Sequence, residues 1–93
     1  MAKFAFLLPR VEMVQLASRI AAELGMEVVF CRAVPTERVV EEAREAHDLG
    51  ADILVARGRQ ASILKEHTEL PVVEIKLTGQ EVGLLLLRAR KLV

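Results

Sequence analysis

GADILVARGRQASILKEHTELPVVEIKLTG, residues Gly50 to Gly79, decides the fold. Ala51 to Ala56 is an apolar run of strand length entered from Gly50, and Pro71 to Leu77 is a second, rich in valine and isoleucine. The connection of about a dozen residues is too long for a hairpin and suits a helical crossover, so the spacing predicts two neighbouring parallel strands joined through a helix. Between the first strand and that helix stand Arg57, Gly58, Arg59, Gln60 and Ser62. Ligands of open parallel sheets sit in the crevice beyond the carboxyl ends of the strands, which is where these residues fall. Gly58 permits a sharp turn, and the first amides of the helix would face an anion with partial positive charge. The turn has two readings from spacing alone: an anion site, or a glycine that only makes the bend beside solvated arginines.

Upstream, the same grammar repeats. Phe4 to Leu8 is apolar without alternation, as in a strand buried on both faces, and Pro9 with Arg10 ends it. Val11 to Leu24 reads as a helix with Val14, Ala17, Ala21 and Leu24 inward, closed by Gly25. Glu27 to Val34 is the next strand, stopped by Pro35. Thr36 is then expected to cap a second helix that runs to about Leu49, with Val39, Val40, Ala43 and Ala46 inward and Gly50 at its end. A strand followed by a helix, used four times, predicts a doubly wound α/β fold of flavodoxin-like or Rossmann-like type. Its four-stranded parallel sheet is expected in the order 2-1-3-4, with helices on both faces. Its switch point brings Pro9 and Arg10 opposite Arg57 to Ser62, with Thr78 and Gly79 beside them.

The fourth unit breaks the pattern. Gln80 to Val93 is read as a helix whose apolar residues spread widely, and the run Leu84, Leu85, Leu86, Leu87 alone turns through about 300 degrees. Together with Val82 these leucines are expected to form an interface, either with a further part of the polypeptide or with a second copy.

Composition narrows the function classes. With 93 residues, of which 53% are hydrophobic, the chain supports one domain with a true core. Thirteen basic residues balance thirteen acidic ones, and the aromatics are three phenylalanines, so no nucleic-acid surface is expected of this stretch. The one cysteine, Cys31, excludes an intrachain disulfide and a cysteine-rich zinc site. A reducing cytoplasm is the expected compartment. The apolar run near the amino terminus is too short for a membrane span or a signal-peptide core.

Catalytic patterns are missing too. A phosphate-accepting receiver of this topology needs an acidic pair after strand one and an aspartate ending strand three, where this chain has Pro9 with Arg10 and Ala56 with Arg57. Asp52 falls at the opposite end of its strand. Cys31 reads as a buried unreactive thiol, and His47 and His67 have no partner at metal-ligand spacing. Neither the dinucleotide fingerprint nor the phosphate-binding P-loop occurs. No cofactor, metal or catalytic residue is expected, and an enzyme ranks below a binding or interaction module.

The segment ADILVARGRQASILKEHTELPVVEIKLTGQEV resembles the N-terminal sensor domain of sigma-54-dependent transcriptional regulators of the propionate-catabolism-activator type. That family's pattern has a strand ending in Ser-Arg-Gly, a Gly-Thr-Ala helix start, a Pro-Val-Val-Glu-Ile strand and a Ser-Gly-Tyr-Asp turn. Here the places are filled by Ala56, Arg57 and Gly58; by Arg59, Gln60 and Ala61; by Pro71 to Ile75; and by Thr78, Gly79, Gln80 and Glu81. The resemblance implies a cytoplasmic effector sensor that binds a small organic acid such as a methylcitrate-like coactivator. It also implies control of an ATPase and a DNA-binding domain further along the polypeptide, neither of which is encoded in these residues. Residues 1–93 would be the first of two lobes; the family pattern carries over Arg57, Gly58, Thr78 and Gly79, and the polar edge at the switch point adds Gln60, Ser62 and Arg10 around the effector. Arg59 and Gln60 replace the small Gly-Thr pair and make the helix start bulkier and more positive. The rival expectation is a dimerisation module acting through Val82, Leu84, Leu85, Leu86 and Leu87.

Overall fold

A computed structural model of the chain describes residues 2–75. Four strands, β1 (Lys3–Leu8), β2 (Glu27–Ala33), β3 (Ile53–Arg57) and β4 (Val72–Ile75), form one sheet in the order β2-β1-β3-β4. Every neighbouring pair is parallel. Three helices connect them: α1 (Val11–Glu23), α2 (Val39–Asp48) and α3 (Gly58–His67). The predicted doubly wound α/β architecture and strand order are those of the structure. The helix read over Gln80 to Val93, and with it the interface residues Val82 and Leu84 to Leu87, lies outside the described residues.

The two-residue period of a strand sorts the core into two layers. Ala5 and Leu7 of β1, with Leu54 and Ala56 of β3, face α2 and α3, where they pack with Val39, Ala43, Ala46, Ala61 and Leu64. Phe6 and Leu8 of β1, with Val55 of β3, point the other way and meet Met13, Ala17 and Ala21 of α1. Small residues on the helices let them approach the bulkier strands closely. Among the described residues both faces are therefore covered by helices, with two on one side and one on the other.

Helices α1 and α2 end alike. Met26 N donates to Ala21 O at 2.9 Å and Gly25 N to Ala22 O at 3.2 Å. Ala51 N donates to Ala46 O at 2.9 Å and Gly50 N to His47 O at 3.0 Å. This paired closure satisfies carbonyls that a helix terminus leaves open, and it needs a left-handed residue, which Gly50 supplies at φ +101°. It also explains one correction. Leu24, read as inward, is 66% exposed: it keeps the helical spacing of Met13, Ala17 and Ala21 but is the C-cap, beyond the last turn of α1, where the chain reverses.

Thr36 is a second correction. It opens a single 3₁₀ turn, Thr36–Arg38, without a side-chain capping bond, and α2 follows from Val39 with Arg38 at its own uncapped start. A third detail is absent from the sequence pattern: pairing of β1 with β2 slips between Phe4 and Ala5, whose partners are Val28 and Phe30. The bulge adds a residue to the edge strand and strengthens its local twist. Arg32 then ties β2 to α2, donating from Nη1 to Glu42 and Glu45, each at 2.9 Å, with its guanidinium 4.1 Å from the centre of the Phe30 ring. Hydrogen bonding to Arg32 holds the Glu45 carboxyl below its ordinary range.

Candidate functional site at the carboxyl edge of the sheet

β1 and β3 lie side by side, and the chain leaves them in opposite directions, toward α1 on one face and α3 on the other. A gap necessarily opens between the two exits. It forms a cleft of about 700 Å³ lined by Pro9, Arg10, Glu12, Met13, Thr36, Arg57, Gly58, Arg59 and Gln60. Three guanidinium groups, those of Arg10, Arg57 and Arg59, share it with one carboxylate, Glu12. Of the expected juxtaposition of Pro9 and Arg10 with Arg57 to Ser62, the cleft lining contains Pro9, Arg10 and Arg57 to Gln60.

Two helices begin at this cleft, and neither is capped by a side chain. Arg10 precedes α1 in extended conformation (φ −134°, ψ 145°) and Arg57 precedes α3 likewise (φ −132°, ψ 138°). Capping residues would have occupied the first-turn amides with their own oxygens; arginine carries no acceptor and leaves those donors open. The first turn of α3 contains no acidic residue, whereas that of α1 carries Glu12. The α3 end is thus the more electropositive of the two. Gly58 makes the bend at φ +55°, and a Cβ placed there would meet nothing within 4 Å, so conformation and not crowding calls for glycine.

The individual side chains divide by task. Arg57 is half-buried, with Nη1 3.5 Å from the Met13 sulfur, so α1 steers its guanidinium. Gln60 is 2% exposed and donates from Nε2 to the carbonyl of Val34 at 2.6 Å, which fastens the start of α3 to the end of β2. Its Oε1 is buried without a hydrogen-bond partner among the described residues. Ser62 stands one turn further along α3, exposed and outside the cleft lining, with Oγ 3.5 Å from the Gly58 carbonyl. Thr78 and Gly79 lie outside the described residues. Sequence reasoning did not single out Glu12, Met13 or Thr36 as cleft residues. Only the chain order was a signal for them, since all three follow closely on the carboxyl ends of β1 and β2.

Other chemistry-bearing residues sit elsewhere. Asp52 accepts from Lys3 N at 2.9 Å at the amino edge of the sheet, a brace between β1 and β3. His47 and His67 line a separate cavity of about 570 Å³ between the carboxyl ends of α2 and α3, with Arg44, Asp48 and Glu69. There the His67 Nδ1 is 2.9 Å from the Ile63 carbonyl of its own helix. Cys31 is half-buried, its Sγ 3.6 Å from the Val14 carbonyl, and burial raises its thiol pKa against a smaller opposing effect of Ser18. Among the described residues, no group of three or more His, Cys, Asp or Glu could hold a metal ion, and no helix is long and apolar enough to cross a membrane.

The family model described as propionate catabolism activator matches residues 32–93. The matched stretch contains Arg57, Gly58, Arg59 and Gln60 but not Arg10, Glu12 or Met13. No curated protein matches the chain.

Proposed function

The chain belongs to the propionate catabolism activator family, in its N-terminal regulatory domain, and from that premise we propose that it senses a small organic-acid effector bound at the carboxyl edge of the sheet. The family is regulatory and not a family of enzymes, so occupancy of the cleft is itself the output. The observation that carries the proposal is the meeting of Arg10, Arg57 and Arg59 with two uncapped helix starts in one cleft. Forked guanidinium donors match a carboxylate in two bonds, and helix amides add donors that cost no side-chain ordering. Glu12 disfavours a ligand that is anionic all round and orients one with its charges toward α3.

On this reading, residues 1–93 are the first of two lobes and their partner lobe closes over the effector. The signal passes to an ATPase and a DNA-binding domain of a sigma-54-dependent activator. Closure of one lobe on another converts binding energy into a change of domain position, which is how a small ligand biases a large switch. Titration calorimetry of the intact regulator with a panel of di- and tricarboxylates tests the proposal. Removing one charge-assisted pair, about 1.5–3 kcal/mol, predicts binding roughly 10- to 100-fold weaker for Arg57→Gln. Absence of heat with every carboxylate, or an affinity that Arg57→Gln leaves unchanged, rejects it.

A further inference from the structure

The cleft at the carboxyl edge is rich in hydrogen-bond donors, with three guanidiniums and the open amides of two helix starts. Side-chain oxygens able to accept are fewer: those of Glu12, Thr36 and Gln60. Gln60 differs from the other two in being buried, at 2% exposure, and in holding an Oε1 with no hydrogen-bond partner among the described residues. We infer, resting on the organic-acid reading of the cleft, that Gln60 determines its specificity, with Oε1 accepting a hydrogen bond from an uncharged donor that the effector carries beside a carboxylate.

The orientation of the amide is dictated by chemistry. The Val34 carbonyl can only accept, so Nε2 must face it across 2.6 Å, and a flipped amide would set two acceptors against each other. The oxygen left over is therefore the free end of a tethered group. Gln60 is also the third residue of α3, so this acceptor springs from the same first turn whose amides are open to a carboxylate. A carboxylate on those amides and a donor on Oε1 would be neighbours on one small molecule. An acceptor withdrawn from water without a partner carries a penalty that a donor on the ligand relieves and a hydrogen atom in its place does not, so such a site separates two otherwise identical ligands strongly. Charge decides which donor fits. Arg10, Arg57 and Arg59 outnumber Glu12 in the cleft, so an ammonium is repelled and a hydroxyl is accepted.

Titration calorimetry of the intact regulator with matched ligands tests this role: succinate, malate and aspartate differ only in a hydrogen, a hydroxyl or an ammonium at one carbon, and tricarballylate differs from citrate by one hydroxyl. In whichever set binds, the hydroxyl-bearing member is expected to bind roughly 10- to 100-fold tighter than its deoxy counterpart, and aspartate no tighter than succinate. Gln60→Met should bring the hydroxyl preference to within about threefold, whereas Arg57→Gln should weaken both members together and preserve it. Equal affinities in the parent, a preference that survives Gln60→Met, or tighter binding of aspartate than of malate would overturn the role of Gln60 and leave the organic-acid reading standing. Silence with every carboxylate would remove both. Carbon NMR of the unaltered protein is independent of how the variant folds: the Gln60 Cδ resonance should move downfield with the hydroxyl-bearing ligand and not with its deoxy counterpart, and an identical response to the two would equally reject the assignment.

Discussion

Gln60 shows how a single side chain can belong to a binding cleft and yet serve the fold. Its amide nitrogen reaches the Val34 carbonyl at 2.6 Å, and its amide oxygen is buried without a partner among the described residues. Replacement by methionine would strip the Val34 carbonyl of its donor but would also remove the orphaned oxygen. The two effects oppose, and a net loss of about 1–2 kcal/mol is expected. Gln60→Glu is the sharper probe. It keeps the shape, places an acceptor where the donor was, and puts an ionisable group in a site that is 2% exposed. Burial raises the folded-state pKa of such a carboxyl above its unfolded value, so the folded form binds more protons. Stability is then retained below the unfolded pKa and falls as pH rises through the folded one. Urea midpoints of the glutamate variant should fall below those of the methionine variant at pH 7 and converge on them near pH 4. A glutamate variant with no pH dependence beyond that of the parent would show that the side chain at position 60 is not held in a buried site.

Among the elements, the connection from β3 into α3 concentrates both conformation and charge. An L-residue at φ +55° costs roughly 1–2 kcal/mol, and asparagine tolerates that region better than alanine does. Because a Cβ at position 58 would touch nothing within 4 Å, the whole cost is conformational. Gly58→Ala is therefore expected to lower stability by about 1–2 kcal/mol and Gly58→Asn by less, measurable as the shift in urea midpoint. If alanine is tolerated as well as glycine, the bend is made by some other residue. This turn was legible in advance, because a glycine between an apolar strand and a polar helix start has few other uses. Its neighbours across the cleft were not. Met13 meets Arg57 from a helix 44 positions upstream, a pairing that depends on how α1 lies across the sheet and not on any local spacing. Thr36 was misread for a related reason: a threonine before a helical pattern signals a cap, but Pro35 starts a 3₁₀ turn there and passes the helix start on to Val39. Nearness in sequence to Gly58 suggests Ser62 as a cleft residue, whereas four residues of helix carry it one full turn along α3, outside the cleft lining.

For the molecule as a whole, the strand order could be read because each strand lacks polar alternation and each connection is too long for a hairpin; those two features together leave few arrangements. How firmly each strand is held could not be read, since it depends on what covers both of its faces. β1 has a partner on either side, and Leu7 and Leu8 at its end are fully buried on opposite faces. β4 has four residues, one partner strand among the described residues and a half-exposed Val73. An edge strand with so little burial opens without the rest of the sheet, whereas the centre opens only with the entire fold. Native-state hydrogen exchange should thus give the amide of Leu7 a free energy of opening equal to that of global unfolding in urea, whereas the amide of Leu54, which donates to the Pro71 carbonyl at 2.9 Å, should open with β4. The amides of Val73 and Glu74 should exchange through a smaller opening that is nearly independent of urea. Occupancy of the arginine cleft would raise the first value by the binding linkage, about 2.7 kcal/mol at a ligand concentration a hundred times Kd, because the ligand bridges the ends of β1 and β3. It would leave the second almost unchanged, since β4 contributes no residue to the cleft lining. Equal protection of all four strands would mean that the sheet opens as one unit and that its edges are covered as well as its centre.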